Sequence, residues 1–266
     1  MKRIAPTTLI LALVALAGAG CAPGLGFGRE VRGSGAVVTQ DRPIQGVSGV
    51  ELGMQGTLSI EFGESESLRV VAEENLQEYI ETDIVGGTLR IGTPAGVYLS
   101  ESEPIEFYLT VTQLDTLQTA SGGSIEVPGF EADPIRLTVS SSGDLTTGAL
   151  QCRTLSIQVS SSGDLTVESL QAESIDVHIS SSGSVDIGGG AVQIQDLTLT
   201  SSGNYSAPDL TSLEASLQLS SSGAATVRVS GRLTADLSSS GNVYYYGSPT
   251  LDVDTSSSGD VIQAGE

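Results

Sequence analysis

The stretch VSSSGDL at residues 139–145 returns unchanged at residues 159–165. Related stretches occur along the second half of the chain, each ending its run of small residues in a glycine. These glycines are Gly123, Gly143, Gly163, Gly183, Gly203, Gly223, Gly241 and Gly259. Five successive intervals are 20 residues long and the last two are 18. A fixed period of this size is typical of a solenoid, in which each repeat buries its apolar face against its neighbours.

Apolar and polar residues alternate within each period. Leu155, Ile157 and Val159 precede one repeat glycine, and Leu165 and Val167 follow it. A period of two is that of a β-strand, so each repeat contains two short strands. Serine, threonine, glycine and valine are also poor helix formers. The repeat region, residues 119–266, is therefore predicted to be all β.

The two strands of a repeat could form a hairpin, or they could be two sides of a coil that stacks on the next coil. Constant spacing favours the coil, because each residue then lies about 4.8 Å from its counterpart in the next repeat. The predicted fold is a right-handed parallel β-helix with two sheets and about 20 residues a coil. At each corner we expect glycine to supply a positive φ and serine hydroxyls to bond the turn backbone.

Residues 33–118 are predicted to be a β-rich N-terminal part with one short helix. TLSIEFG at 57–63 and SLRVVAEE at 67–74 alternate as half-buried strands do, and GGTLRI and IEFYLTV are further strands. EENLQEYI at 73–80 spaces its apolar residues as a short amphipathic helix does. We expect the acidic residues of that helix to face solvent. They are Glu73, Glu74 and Glu78.

The first 21 residues have the features of an export signal. Lys2 and Arg3 precede an apolar run at 9–16, and small residues lead to Cys21. The ending LAGAGC is similar to a bacterial lipobox, which implies lipidation of Cys21. Ordinary cleavage after Ala17 or Ala19 is the alternative. Residues 22–32 are glycine-rich and are predicted to be a flexible tether.

Charge and composition exclude some partners. The 266-residue chain has a formal net charge of −21, which disfavours nucleic acid and anionic lipid surfaces as partners, because like charges repel. With 39% hydrophobic and 16% charged residues, the chain does not have the composition of a disordered protein.

Few residues are candidates for chemistry. His178 falls in an outward column with Thr138, Gln158, Thr198 and Gln218, and the chain has no second histidine to help bind zinc. The repeated serines are too uniform for one to be a nucleophile. Cys152 is interpreted as a small buried hydrophobic residue. We predict no cofactor and no catalytic residue.

Two further features could bind ligands. Asp144 and Asp164 would stack one coil apart and could bridge a cation, although the same position carries Ser, Asn and Ala elsewhere, which favours simple turn propensity. In the YYY run at 244–246, Tyr245 is expected to face the core. Tyr244 and Tyr246 would then form an outward patch able to stack on a sugar or peptide, or would simply cover the last coils.

Four features follow one another along the chain: a lipobox-like start, GSGAV, EENLQEYIET followed by GGTLRI, and serial SSSG corners. Together they resemble the bacterial head GIN domain family of auto-transporter adhesins. The resemblance covers residues 33–266 and implies a two-sheeted β-superhelix turning at its Ser-Gly motifs. It provides no catalytic residue.

Three functions are open at this stage. The first is a non-enzymatic cell-envelope lipoprotein, held in the outer membrane through Cys21, that binds a glycan or an envelope protein for adhesion. The alternatives are an envelope-stress or regulatory lipoprotein and, less favoured, a polysaccharide-active β-helix enzyme. Uniform coils and the lack of tryptophan argue against the enzyme. The oligomeric state does not follow from the sequence.

Overall fold

The computed structural model describes residues 28–238, 240–256 and 258–266. Within them the chain forms 25 strands and one 3-10 turn, Gln77–Tyr79. The strands before the repeats are β1 Arg29–Arg32, β2 Val37–Arg42, β3 Gly49–Leu52, β4 Thr57–Phe62, β5 Ser67–Glu73, β6 Glu81–Val85, β7 Thr88–Gly92, β8 Val97–Ser100 and β9 Glu106–Val111.

The strands of the repeat region follow one another at short intervals. They are β10 Thr116–Thr119, β11 Ser124–Val127, β12 Phe130–Glu131, β13 Ile135–Val139, β14 Leu145–Gln151, β15 Thr154–Val159, β16 Leu165–Gln171, β17 Ser174–Ile179, β18 Ser184–Ile187, β19 Gly190–Ala191, β20 Ile194–Leu199, β21 Asn204–Leu219, β22 Ala224–Leu237, β23 Asn242–Tyr246, β24 Thr250–Thr255 and β25 Val261–Gly265.

The repeats stack as parallel coils, which confirms the solenoid prediction. Strands before each corner form a first sheet, in which Leu155 pairs with Ile175 and Val159 with Ile179. Strands after each corner form a second sheet, in which Leu165 pairs with Val185. Alternate residues point inward, so the apolar residues of both sheets form one contiguous core.

A short third row of pairings completes the earlier coils and was not predicted. The row joins β12, the end of β14, the end of β16, β19 and the middle of β21. Between β21 and β22 the row shortens, although Thr211 still pairs with Arg228 and Ser212 with Val229. There β21 uses three more residues than β22 from Ala207 to Thr211, and one fewer from Ser212 to Glu214. In total β21 therefore uses two more residues than β22, and this accounts for the shortening of the period from 20 to 18 residues.

The stack begins before the first repeat glycine. Strand β3 pairs in parallel with β10, and β4 pairs in parallel with β11, so residues 49–62 form a coil of the same solenoid. Strands β7 and β9 pair in parallel with β3 and β4, and β6, β5 and β2 then close this end of the rod with antiparallel pairs, β6 with β7 and β2 with β5 with β9. The rod therefore has one end covered by hairpin-like strands.

Two expectations for the N-terminal part were wrong. Residues 73–80 form only the 3-10 turn, because Leu76 and Ile80 already reach the core from a tight connection between strands. Residues Arg29–Arg32, expected within the tether, form β1 and pair in parallel with β8. Cys21 and the rest of the predicted signal lie outside the described residues.

Glu73 was also expected in solvent and is instead fully buried. Its carboxylate accepts hydrogen bonds from the backbone N–H of Ser102, at 2.9 Å, and of Gly35. These bonds, led by the one from Ser102, hold the pKa of Glu73 below its ordinary value despite its burial. Two residues on, Asn75 accepts from the N–H of Ser34 and donates to the carbonyl of Arg32. Glu73 and Asn75 thus fix residues 32–35 to the rod.

The repeat glycines do not have the expected conformation. All eight are buried, and none of them is among the glycines with positive φ. They are required by close approach instead: a β-carbon on Gly143, Gly163, Gly183 or Gly223 would collide with the carbonyl oxygen of the repeat glycine one coil earlier. Corner amides are bonded mainly by backbone, as in Gly183 N–H to Ser161 O at 2.9 Å, while Ser140 Oγ bonds the Thr119 carbonyl.

The buried apolar residues run without interruption from Val47 to Tyr245, so residues 28–266 contain one continuous core. We expect this segment to fold as a unit. Among the described residues, no helix has the length and apolar character needed to cross a membrane.

Candidate binding surface

The outward column predicted on the first sheet is present. Cα pairings place Thr138 beside Gln158, Gln158 beside His178, and His178 beside Thr198. The side chains of this column are half-buried to exposed. In the part of the chain that the structure describes, no three His, Cys, Asp or Glu side chains are grouped as metal ligands.

The residue after each repeat glycine forms a hydrogen-bonded ladder. Asp144 Oδ1 accepts from the N–H of Asp164 at 3.2 Å, and Asp164 Oδ1 accepts from the N–H of Ser184 at 3.0 Å. Asn204 and Asn242 accept in the same way from the next coil. An amide oxygen serves as well as a carboxylate here, so the ladder links the coils without needing a cation.

A second line of outward residues crosses the whole second sheet, and we call it the outer row. Each member is the direct pairing partner of the next, on successive strands from β2 to β23. Ten strand spacings make the outer row about 50 Å long. Its members are Asp41, Arg69, Tyr108, Ser59, Glu126, Thr146, Thr166, Asp186, Ser206, Thr226 and Tyr244.

At its first end the outer row contains an exposed aromatic ring. Tyr108 is 45% exposed between the buried residues Phe107 and Leu109, and its hydroxyl donates a hydrogen bond of 3.0 Å to Glu106. That bond raises the pKa of Tyr108. Beside the ring, Arg69 Nε lies 3.5 Å from Asp41 Oδ1.

A shallow groove of about 530 Å³ follows these residues across β2, β5, β9 and β4. The rest of its lining is formed by Ser59, Glu61, Ser67, Leu109 and Thr110. The groove thus offers one aromatic face together with hydroxyl, carboxylate and guanidinium groups.

At the other end the outer row contains Tyr244. As predicted, Tyr245 faces the core, with 8% of its surface exposed. Tyr246 lies beneath the Arg228 guanidinium, 4.9 Å from the ring centroid, and Arg228 is itself fixed by a 2.7 Å bond to the carbonyl of Pro208. One face of Tyr246 is therefore covered, and Tyr244 is the half-buried ring that continues the outer row.

Sequence reasoning missed Tyr108. In IEFYLTV it is the one aromatic residue at an outward position, since Phe107 and Leu109 occupy the inward ones. That alternation was the available signal. What it could not show is that β9 lies between β4 and β5, which brings Arg69 and Ser59 to either side of the ring.

Cys152 lies apart from the outer row. It is half-buried against the core, and this desolvation, with Asp133 nearby, raises its pKa to about 11. A thiol with so high a pKa is a weak nucleophile.

Comparisons with known proteins agree with this architecture. A solved structure named as a putative lipid binding protein from Parabacteroides distasonis is similar with a TM-score of 0.81 and 22% identity, over 88% of this chain and 99% of that one. A putative adhesin from Parabacteroides merdae gives a TM-score of 0.78 and 19% identity, over 88% and 98%. At these identities the likeness concerns the fold. No curated protein matches the chain.

A family model described as "Putative auto-transporter adhesin, head GIN domain" matches residues 47–249. The match includes the coil at residues 49–62, the closing strands of the first end other than β2, and seven of the eight repeat glycines, and it covers most of the chain. The chain therefore belongs to the head GIN domain family.

Proposed function

We propose that this protein is a non-enzymatic adhesion module of the cell envelope that binds a linear glycan along the outer row. The observation that carries the proposal is the continuity of the outer row, with a tyrosine near each end and hydroxyl or carboxylate groups on the strands between them. A sugar ring stacks on an aromatic face and hydrogen-bonds to planar charged and hydroxyl groups, which the groove at Tyr108 provides.

The shape of the outer row favours a polymer over a small molecule. Successive binding groups lie about 4.8 Å apart, close to the length of a pyranose unit, so an extended glycan can contact many strands at once. Each contact is weak and exposed, and the affinity for a long chain would come from their number. The net charge of −21 favours an uncharged or cationic glycan.

The same surface argues against catalysis. Along the outer row, acidic residues are separated by serine and threonine, and the described residues show no enclosed pocket in which a base and a nucleophile converge. Family members and solved neighbours named as adhesins support the same view.

We place the protein at the cell envelope, attached to the outer membrane by lipid on Cys21. The family's adhesin name supports an envelope location. The attachment itself rests on the lipobox-like sequence.

Binding of residues 28–266 to soluble neutral β-glucan, mannan and cationic chitosan tests the proposal. Tyr108→Ala should weaken binding about two- to tenfold, since an aromatic contact contributes about 0.5–1.5 kcal/mol. Tyr98→Ala is the matched control, because Tyr98 is 65% exposed but lies outside the outer row. Equal losses in both variants, or no binding to any of the glycans, would contradict the proposal.

A further inference from the structure

The two ends of the rod differ. Antiparallel strands close the first end, whereas the last coil, formed by β24 and β25, is open. Strand β24 pairs with β22 and β25 pairs with β23, and among the described strands none pairs with the outer edge of either. An open strand edge of this kind is ready to pair with another strand.

The open end also exposes part of the core. Leu251 and Val253 pair with the buried residues Leu233 and Ala235, so they continue the inward columns of the first sheet. Yet they are 45% and 40% exposed, because no coil among the described residues covers them. All six residues of β24 are exposed. In a solenoid, a terminal coil usually carries a polar outer face that replaces the missing neighbour.

We propose that a second copy of this chain covers the open end, so that two rods meet tail to tail about a two-fold axis. Within the last coil β24 and β25 run in roughly opposite directions on opposite sides of the core. A two-fold axis that runs between the two sheets, parallel to the strands, therefore sets β24 of each copy antiparallel to β25 of the other. Two ladders form, and Leu251 and Val253 of both copies join one core.

Charge selects this pairing over one of β24 with its own copy. If β24 paired with β24 of the other copy, its outward residues Asp252 and Asp254 would face the same aspartates across the interface, which is unfavourable. Strand β25 has the sequence VIQAG and carries no charged residue. The aspartates beside it meet no like charge on that strand.

The other end disfavours an open filament. Its outermost strands are β2 and β6, and β6 carries Glu81 and Asp83, which discourage edge pairing with an acidic partner. A tail-to-tail contact is isologous and closes at two copies. Strand β1 lies at the first end, beside β8, so the two N-termini would be at opposite ends of the pair.

The mass of residues 28–266 in solution tests the pairing, measured by light scattering up to about 100 µM, where a dimer with a micromolar dissociation constant is fully formed. We expect twice the chain mass, and a single-chain mass for Val253→Lys, which introduces a charge at the open end. The control is Val85→Lys, since Val85 is 53% exposed on β6 at the opposite end and should leave the dimer intact.

Hydrogen exchange of the unmodified protein provides a second measurement that does not depend on a variant folding correctly. Amides of β24 and β25 should become protected at high protein concentration, while those of β2 should not change. A single-chain mass with exchange independent of concentration would overturn the proposal. A dimer that persists in Val253→Lys, or protection confined to β2 and β6, would overturn it as well.

Discussion

The carbonyl oxygen of Gly143 occupies the place that a side chain on Gly163 would need, and the same relationship recurs between Gly163 and Gly183. The repeat glycines are thus packed backbone on backbone along one edge of the core. Since their φ angles are not positive, it is this contact between coils, and not turn conformation, that requires glycine.

Replacing Gly163 with alanine should destabilise the solenoid by about 1–3 kcal/mol, because the atoms in the way are backbone atoms that cannot move aside. Thermal or urea unfolding measures the change. Gly92→Ala is the control, since a β-carbon there meets nothing within 4 Å and φ is not positive. Similar losses in both variants would show that glycine is retained for backbone freedom.

The sequence was sufficient to predict the parallel coils, the alternation and the corners, because all three follow from the period and the inward positions. It did not distinguish two reasons for a glycine, conformation and close approach, since both favour the same residue. The third row was missed because it rests on segments as short as Phe130–Glu131, too short to show a period. The turn at Gln77–Tyr79 was mistaken for a helix because Leu76 and Ile80 have helical spacing.

The ladder after the corners predicts that Asp164 stabilises the fold as a hydrogen-bond acceptor. Asp164→Ala should lower the free energy of unfolding by about 0.5–1.5 kcal/mol, while Asp164→Asn should retain most of the stability, as asparagine is native at positions 204 and 242. A chelator should leave the melting temperature unchanged. A loss of stability in Asp164→Asn, together with sensitivity to the chelator, would instead indicate a bound cation.

The buried carboxylate of Glu73 predicts a stability that depends on pH. Its pKa is lowered in the folded state, so ionised Glu73 favours folding above the ordinary value of 4.5, and this contribution is lost as pH falls through the lower folded pKa. Glu73→Gln should therefore melt several degrees lower at neutral pH. The difference from the unmodified protein should narrow below pH 4.5.

The neighbour of Glu73 is a suitable control for that experiment. Glu74 is exposed, so Glu74→Gln should melt like the unmodified protein at every pH. If the gap between Glu73→Gln and the unmodified protein stayed constant from neutral pH to pH 3, ionisation of Glu73 would not be its source.

The outer row could not be predicted as a whole, for a physical reason. Its members come from strands as far apart in sequence as β2 and β23, and they meet only through the pairing order. From β11 onward the constant period gives that order, and Thr146 beside Thr166 follows from it. Before β11 the order depends on β9 lying between β4 and β5, and no spacing in the sequence indicates that arrangement.

Cys152 should react slowly with iodoacetamide. With a pKa of about 11 against 9.0 for an unperturbed thiol, its thiolate is roughly one hundred times scarcer at pH 8, and the rate should rise about tenfold per pH unit up to pH 11. Residues 28–266 contain no other cysteine, so mass spectrometry reports on Cys152 alone. In urea the same thiol should react at the ordinary rate; equal rates with and without urea would contradict the assigned burial.

Glycan length should separate the two ends of the outer row. Tyr108 and Tyr244 lie eight strand spacings apart, about 38 Å, so a short oligosaccharide can contact only one of them. Tyr244→Ala should then leave the binding of a tetrasaccharide at Tyr108 unchanged, yet weaken the binding of a long polymer several-fold, because a polymer that spans the outer row gains from both contacts. Calorimetry with matched oligomers and polymers of the best-binding glycan measures this. If Tyr244→Ala affected short and long ligands equally, the two tyrosines would not belong to one continuous surface.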